Sequence, residues 1–367
     1  MIAEGIKCTD TAAGLQLSAA VRSPSTIGGQ HLHFTVAGAQ QHWLPPYGDA
    51  FLAALLMPAM CLGEDLVIDA PVSRRLLRTA RTVMNIYTSW WDHLQPVHIQ
   101  AQVRAPDRTQ RPGVGLFFTT GVDSFYSLLT DLDRDADPLH EPVTHLLFAN
   151  FEQQSGEDYD RLLGRVHTVA KHTGRQLLAV ETNVRTLTEP LAYWPHYHGA
   201  ALGAVALALQ GLLCRCLIAA SDQYRHLPPL GSHPVLDHLW STESLEIVHD
   251  GAEATRTDKV QRRLAGSSLA LENLTVCWRS KPAHNCGICE KCLRTMIALE
   301  LAGALGQCTT LPGCLDLDLV RHVPMPSQDC RDAMLSVATD ARHRDRHDLA
   351  NAAEESVRRS TPPKTHS

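Results

Sequence analysis

The stretch Val114-Gly-Leu-Phe-Phe-Thr-Thr-Gly-Val-Asp-Ser-Phe125 joins a short apolar run to a helical run through a turn rich in hydroxyl side chains. A short apolar run bounded by turn residues is typical of a buried strand. A strand that leads through a glycine turn into a helix presents backbone N–H groups and a helix N-terminus to an anion. The stretch therefore predicts a phosphate-binding loop. An ordinary strand–helix turn, capped by Asp123 or Ser124, is the alternative.

Phosphate chemistry explains the residue types in this loop. The hydroxyls of Thr119, Thr120 and Ser124 can donate hydrogen bonds to phosphate oxygens. Gly121 allows a close backbone approach, and the carboxylate of Asp123 can help to hold Mg²⁺. The loop does not have the pattern GxxxxGK[ST], which excludes a Walker A site.

The middle of the chain alternates strand-like apolar runs with helical runs. Such alternation predicts a parallel sheet covered by helices on both faces, and ligands bind these sheets at the carboxyl ends of the strands. We therefore expect an α/β fold in this region. The predicted strands are Val114–Phe118, Thr144–Asn150, Gln176–Glu181 and Cys214–Ala220, and the predicted helices are Phe125–Leu132, Tyr159–His172 and His198–Leu213.

Composition divides the chain into three predicted units. Residues 1–105 mix strand-like pieces with helical runs and predict an N-terminal α+β domain, for which the sequence gives no role. The polar, basic stretch Arg104–Gly113 contains two prolines and is typical of a linker. Residues 106–305 form the predicted nucleotide-binding domain with a cysteine segment. Residues 306–367 form a tail that is helical in part and disordered at its end.

Four of the eleven cysteines, Cys277, Cys286, Cys289 and Cys292, lie within sixteen residues. The odd total and the lack of a predicted signal peptide argue against a disulfide framework. Two overlapping CxxC steps and one more distant cysteine supply four thiolates, the number that Zn²⁺ takes in a closed structural site. We expect zinc to pin the C-terminal segment to the sheet. An iron–sulfur cluster uses the same ligands and is the alternative.

Together, the loop and the cysteines resemble the PP-loop ATP pyrophosphatases, and among them the 7-cyano-7-deazaguanine synthases. That family carries an SGGxDS loop after its first strand, where this chain has Thr119-Thr-Gly-Val-Asp-Ser124. It also has a zinc site made of one cysteine ahead of a CGxCxxC motif, which the segment from Cys277 to Cys292 matches. Lys259 corresponds to a family lysine that precedes the cysteines. The resemblance covers roughly residues 113–300.

The chain departs from the family pattern in the loop and on the substrate side. Thr119 and Thr120 replace the serine and the first glycine of the loop. A side chain at position 120 is compatible with the loop when the φ angle there is negative, so we expect ATP binding to be retained. At the positions where the family has its substrate segments, this chain has Phe148–Gln153 and Trp194–Gly199 instead. The resemblance therefore predicts the chemistry but does not identify the acceptor.

The resemblance implies an HUP-like, Rossmann-type fold that uses ATP, Mg²⁺ and Zn²⁺. It implies adenylation of a carbonyl or carboxylate with release of pyrophosphate, after which a nitrogen nucleophile displaces AMP. It assigns the nucleotide to the loop Thr119–Ser124, including Val122, and to Phe148. It also gives Lys259 a catalytic role beside Asp123. A solvated charged helix face is the alternative for Lys259.

Two further residues follow the fourth predicted strand. Asp222 comes directly after that strand, at the carboxyl end where active-site groups gather. His233 has an ordinary pKa near neutrality, which suits acid–base catalysis, and a surface-loop histidine is the alternative. The predicted catalytic residues are therefore Asp123, Asp222, Lys259 and His233.

Two other functions stay open on the sequence alone. A sulfur-inserting relative acting on a nucleobase or tRNA would need a reactive cysteine at a strand end, whereas Cys214 and Cys216 begin their predicted strand and fit the core. A catalytically silent nucleotide-binding protein would keep the altered loop without turnover. The net charge of −6, from 33 basic and 39 acidic side chains, disfavours a strongly basic nucleic-acid binder.

The expected partner is a small-molecule substrate, with a modified purine as one candidate and tRNA, a protein acceptor and a homodimer as further options. The apolar run from Ala200 to Ala220 could span a bilayer, which takes about 20 residues. Gln210 and Arg215 interrupt it, however, which favours a buried helix followed by a buried strand. The N-terminal sequence has no apolar signal segment, so we expect a cytoplasmic protein without a membrane partner.

Overall fold

A single sheet of ten strands organises the part of the chain that the computed structural model describes, which is residues 1–25, 29–105, 111–151, 155–279 and 284–360. The strands are β1 Ile2–Thr11, β2 Gly14–Arg22, β3 Gln30–Val36, β4 Leu66–Ser73, β5 Ile99–Arg104, β6 Gly113–Phe117, β7 His145–Asn150, β8 Gln176–Thr182, β9 Leu213–Ala219 and β10 Glu246–Asp250.

Helices cover this sheet and form the C-terminal end of the described chain. They are α1 Asp49–Leu62, α2 Arg74–Trp90, α3 Val122–Leu132, α4 Glu157–Thr173, α5 Val184–Thr188, α6 Trp194–Ala208, α7 Arg256–Lys259, α8 Ser268–Asn273, α9 Glu290–Leu301, α10 Leu317–His322, α11 Gln328–Arg342 and α12 His347–Arg359. Two short helical turns, Asp237–Trp240 and Val260–Leu264, lie close to the candidate site.

Five parallel strands form one half of the sheet. Across the sheet the strands follow the order β10-β9-β6-β7-β8-β3-β2-β1-β4-β5, and each neighbouring pair from β10 to β8 is parallel. Counted along the chain, these five strands have the order 3-2-1-4-5 when read from β8, which is typical of Rossmann-type folds. The order reverses between β6 and β9, and the crevice beyond the carboxyl ends of these strands is where such folds bind ligands.

Alternate side chains of the parallel strands enter two different cores. Leu116 and Leu146 pack with Phe125 of α3 on one face. Phe117 and Leu147 pack with residues of α1 and α6 on the other face. Because successive side chains on a strand point to opposite faces, this separation means that helices cover both sides. The predicted α/β architecture, with a mostly parallel sheet flanked by helices, is confirmed.

The N-terminal residues extend the same sheet. β3 pairs antiparallel with β8 from Phe34 opposite Thr182 to Val36 opposite Val180. β2 and β1 follow by antiparallel pairing, and β4 and β5 continue in parallel to the far edge. Arg104 ends β5 and is buried, so its predicted place in a linker is wrong. Residues 106–110 of that predicted linker lie outside the described chain, as do residues 361–367 of the tail.

Both predicted boundaries of α6 need correction. α6 begins at Trp194 instead of His198, because Pro195 in its first turn has the fixed φ that starts a helix. It ends at Ala208, five residues before β9 begins, so the apolar run divides into a helix and a strand as expected. Among the described residues, no helix combines the length and the apolar character that a membrane crossing requires.

A buried charged network ties the N-terminal strands to the parallel half. Asp49 is fully buried and accepts hydrogen bonds from the Ser73 N–H at 2.8 Å and from the Gln210 side-chain amide at 3.1 Å. An Arg104 guanidinium nitrogen lies 3.3 Å from the same carboxylate and donates to the Gln210 amide oxygen at 3.0 Å. The three side chains come from α1, β5 and the turn after α6, so one network joins both halves of the sheet.

Asp49→Ala is expected to lower the free energy of unfolding by about 3–5 kcal/mol, because it leaves the buried Arg104 cation without its carboxylate. Asp69→Ala is the matched control, since Asp69 is exposed and such substitutions change stability by about 0.5 kcal/mol or less. Equilibrium unfolding in urea measures both variants. Equal losses of unfolding free energy in the two variants would show that the network does not stabilise the contact between the two halves of the sheet.

Candidate functional site

The predicted phosphate loop lies at the reversal point of the sheet. β6 ends at Phe117, and α3 begins at Val122, three residues earlier than predicted, so Val122, Asp123 and Ser124 form its first turn. Gly121 is the N-cap, and no described side chain caps this helix. Neither Asp123 nor Ser124 is the cap that the alternative of an ordinary strand–helix turn assumed. The first N–H groups of α3 face the carboxyl edge of the sheet without a side-chain acceptor.

Thr120 adopts a backbone conformation that side chains rarely take. Its φ angle is +58°, so the negative angle on which the compatibility of a side chain at this position depended is not found. Its side chain is fully buried, and its hydroxyl has no hydrogen-bond partner among the described residues. The backbone is held in place because the Thr120 carbonyl accepts the Thr275 N–H at 2.9 Å. The fold therefore holds a threonine in a strained left-handed conformation that glycine would adopt without strain.

Thr120→Gly is expected to raise the free energy of unfolding by about 0.5–1 kcal/mol. The left-handed conformation costs a side chain about 1–2 kcal/mol, while glycine gives back about 0.5–1 kcal/mol in unfolded-chain entropy. Thr119→Gly is the control, because Thr119 is exposed and has an ordinary φ angle, so it should lose stability. Urea unfolding midpoints compare the two, and a loss at both positions would contradict the strain argument.

Lys259 connects the loop to the neighbouring strand. Its side chain is 1% exposed, and its ammonium donates to the Asp123 carboxylate at 2.8 Å and to the Ala220 carbonyl at 2.6 Å. Arg256 lies 3.8 Å from the other oxygen of Asp123. Both cations come from α7, which Thr255 and Asp258 cap reciprocally. The structure therefore brings the predicted residues Asp123 and Lys259 together beyond the ends of β6 and β9.

Two further cations reach this cluster from the first turns of α9. Burial, followed by the charges of Arg256 and Arg294, lowers the pKa of Lys291 to about 8. Burial, followed by Arg294, lowers the pKa of Arg256 to about 10. Such shifts are what neighbouring cations cause when they are partly shielded from water, and Arg256, Lys291 and Arg294 are all half-buried. Arg294 also lies 3.2 Å from Glu290. The four cations, Arg256, Lys259, Lys291 and Arg294, are called the cation cluster below.

The carboxylates of the cluster have opposite pKa shifts. Burial opposes ionisation of Asp123, but the charges of Lys259 and Arg256 hold its pKa below the ordinary value. Burial, followed by the charge of Asp123, raises the pKa of Asp222. The positive charges of Arg294 and Lys259 also act on the Asp222 carboxylate, so Asp222 lies beside the cation cluster. Asp123 is therefore the anionic carboxylate of the site, and Asp222 is the one that holds a proton more readily.

The remaining predicted residues lie in different surroundings. Phe148 is buried on β7, and its ring lies 5.9 Å from that of Tyr159, centroid to centroid. The structure describes its segment, Phe148–Gln153, as far as residue 151.

His233 is buried, and its ring lies 5.0 Å from that of Trp90 at the end of α2. The His233 backbone N–H donates to the Asp237 carboxylate at 3.3 Å. Because the His233 side chain is buried, the alternative of a surface-loop histidine is wrong.

Sequence reasoning missed two members of the cation cluster. Lys291 and Arg294 are three residues apart, and a spacing of three places two side chains on one face of a helix. The cysteine motif contains Lys291 and ends two residues before Arg294, so this segment indicated a metal site and not a charged helix face. The spacing of Lys291 and Arg294 was therefore visible in the sequence, but the fold is what brings them towards Lys259.

The four clustered cysteines form a candidate metal centre. Their sulfur atoms all lie within 4.8 Å of one another, with 3.8 Å between Cys277 and Cys289 and 4.0 Å between Cys286 and Cys292. A tetrahedral zinc ion with Zn–S bonds of about 2.3 Å separates its sulfur ligands by about 3.8 Å. The chain thus has a cluster of four cysteines that can hold a metal ion such as zinc.

Backbone contacts prearrange these cysteines. The Asn285 side chain accepts the N–H groups of Val276 and Cys277 and donates to the Leu274 carbonyl. Gly287 turns the chain at a φ of +70°, where a Cβ atom would lie 2.7 Å from Pro312. Cys289 is the N-cap of α9, so a bound metal fixes the helix that carries Lys291 and Arg294.

Comparison of the chain with family models, with curated proteins and with solved structures finds no match. The chain's own residues at the carboxyl edge of its sheet are therefore what points to a function.

Proposed function

We propose that the protein is an ATP-dependent adenylating enzyme of the PP-loop type. It activates a carbonyl or carboxylate by AMP transfer with release of pyrophosphate, and a nitrogen nucleophile then displaces AMP. The acceptor is a small molecule, and a modified purine such as 7-carboxy-7-deazaguanine is the first candidate because of the family resemblance.

The observation that carries this proposal is the cation cluster beside the uncapped N-terminus of α3. Lys259, Arg256 and Lys291 act on one carboxylate, Asp123, at the reversal point of a 3-2-1-4-5 set of strands, and Arg294 acts on Asp222 beside it. Oriented N–H groups and desolvated cations bind polyphosphates well. A single phosphate needs fewer charges, so a triphosphate is the better fit.

Each group has a definite task in such a reaction. The cation cluster neutralises the phosphates and stabilises the charge that develops on departing pyrophosphate, where preorganised donors contribute most. Asp123 offers the carboxylate oxygen that Mg²⁺ prefers. Mg²⁺, when bound, supplies further charge neutralisation. Positioning of the acceptor against the α-phosphorus then accounts for much of the remaining rate.

The structure gives sulfur insertion less support than nitrogen transfer. Cys214 and Cys216 lie at the start of β9, opposite to the edge that carries the cation cluster. Burial raises the pKa of both thiols, which disfavours the nucleophilic thiolate. The strained Thr120 favours a catalytically silent nucleotide-binding protein, but no other observation on the described residues does. The product analysis below therefore tests that function as well.

Product analysis by mass spectrometry tests the proposal. The protein is incubated with Mg²⁺, ATP and 7-carboxy-7-deazaguanine, guanine or related bases, each with ammonium or sulfide. Acceptor-dependent AMP and pyrophosphate are expected, with the aminated product in the ammonium reactions. ADP and phosphate would refute adenylation. Tight ATP binding without turnover across the panel would favour the silent nucleotide-binding protein.

A further inference from the structure

Arg165, on α4, is a half-buried cation that the reaction as described so far does not use. Its guanidinium donates to the Thr275 hydroxyl at 2.8 Å. Among the described residues it has no other hydrogen bond and no ion pair. Burial, followed by the charge of Arg161, lowers its pKa. A partly desolvated arginine thus holds a neutral hydroxyl instead of a carboxylate, which calls for an explanation.

Thr275 is the residue through which Arg165 reaches the phosphate loop. The Thr275 N–H donates to the Thr120 carbonyl at 2.9 Å, and the Thr275 carbonyl would lie 3.9 Å from a Cβ atom on Gly121. The Thr275 side chain is 9% exposed, so Arg165 meets it inside the protein. Two hydrogen bonds through Thr275 therefore link α4 to the loop, and these two bonds are called the strap below.

The backbone of Thr120 needs such an external contact. A residue with a side chain populates the left-handed conformation about 5- to 30-fold less than a relaxed one. The Thr120 hydroxyl has no partner among the described residues, so the side chain does not hold the strained backbone in place. Strained backbone persists only where its surroundings fix it. The strap supplies that contact from outside the loop.

The conformation of Thr120 decides where the donors of the loop point. Gly121 is the N-cap of α3, and the helix begins at Val122. Rotation about the φ and ψ angles of Thr120 would reorient the peptide group that joins it to Gly121. The N–H groups ahead of a helix bind phosphate only when they point at it. A loop that relaxed at Thr120 would therefore lose affinity for ATP.

We propose that Arg165 is a positioning residue of the nucleotide site, which acts through Thr275 to hold the strained phosphate loop in the conformation that binds ATP. The inference rests on the proposed function. Glycine at position 120 would need no strap, because it adopts the left-handed conformation without strain. Without the strap, the fraction of protein in the binding conformation falls, and the apparent affinity for ATP falls by the same factor.

Calorimetric titration with Mg²⁺ and ATP tests the inference in a cycle of Arg165→Met and Thr120→Gly. Arg165→Met keeps the apolar stem and removes the guanidinium. It should weaken ATP binding by about 5- to 30-fold, the range that the strain at Thr120 sets. In the Thr120→Gly background, whatever affinity that variant itself has, the same substitution should weaken binding by less than about threefold, because no strain remains to be held.

Thr275→Val is the second variant, since it removes the hydroxyl that Arg165 holds and keeps the N–H that holds Thr120. It should weaken ATP binding by a similar factor. Combining it with Arg165→Met should add little, because both substitutions remove one and the same contact.

Arg161→Met is the matched control. Arg161 lies one turn earlier on α4, is exposed, and pairs with Asp158 at 3.8 Å. The substitution removes the same charge without removing a contact of Thr275, so ATP affinity should be unchanged. An equal loss in Arg161→Met and Arg165→Met would overturn the inference, since it would show a general effect of charge.

Three further results would overturn the inference. Unaltered ATP affinity in Arg165→Met would mean that the Asn285 contacts alone hold the Thr275 segment. A loss that persists in full in the Thr120→Gly background would mean that Arg165 binds phosphate itself. A loss of affinity that follows a lower urea midpoint in both backgrounds would mean that Arg165 only stabilises the fold. Absence of ATP binding to the unsubstituted protein is a different result, because it would overturn the proposed function.

Discussion

Cys289→Ser is expected to abolish metal binding and to destabilise the C-terminal part of the protein severely. Cys289 is fully buried, its sulfur lies 3.8 Å from that of Cys277, and its N–H donates to the Cys286 sulfur at 3.3 Å. The binding free energy of structural zinc is folding free energy, about 10–16 kcal/mol in small zinc domains. A loss of this size is comparable to the whole free energy of unfolding of most proteins, about 5–15 kcal/mol.

Elemental analysis and urea unfolding measure this effect. We expect one zinc per chain in the unsubstituted protein and none in Cys289→Ser, with a large drop in the unfolding midpoint. Cys314→Ser is the matched control because Cys314 is exposed and outside the cluster. A Cys289→Ser protein that keeps its metal and its midpoint would refute the ligand assignment. An iron–sulfur cluster would instead give iron and visible absorption.

The alternating pattern of the middle of the chain was enough to predict its architecture. Buried parallel strands are rich in apolar residues, and β6, β7, β8 and β9 each contain an apolar run, although Arg215 interrupts that of β9. β10 was missed because it is a sheet edge with the sequence Glu246-Ile-Val-His-Asp250, in which polar side chains outnumber apolar ones. A strand with one partner does not need a continuous apolar sequence, so no local signal marks it.

Long-range pairing explains the other omissions. The antiparallel contact between β3 and β8 joins residues almost 150 positions apart, and neither strand has a feature that selects the other. The ion pair of Lys259 with Asp123 spans 136 positions. The sequence predicted that both residues matter, but their contact depends on how α7 returns to the edge of the sheet.

Lys259→Ala is expected to reduce AMP formation by at least about 100-fold, since loss of one preorganised group that stabilises transition-state charge costs about 10²–10³ in kcat. Lys259→Arg should not restore the rate, because a site that is 1% exposed has no room for the larger planar guanidinium. Lys171→Ala is the matched control, since Lys171 is exposed on α4. Acceptor-dependent AMP release measures all three.

A structural contribution of Lys259 must be separated from a catalytic one, because its removal also leaves the Asp123 carboxylate short of a cation. The double variant Lys259→Ala/Asp123→Ala removes both charges, so it should recover part of the stability that Lys259→Ala loses. If Lys259 acts on phosphate, AMP formation in the double variant stays well below that of Asp123→Ala, which keeps Lys259 and measures the loss due to the carboxylate alone, although the urea midpoint recovers. Activity that recovers with the midpoint would show that the ion pair only holds α7 against the sheet.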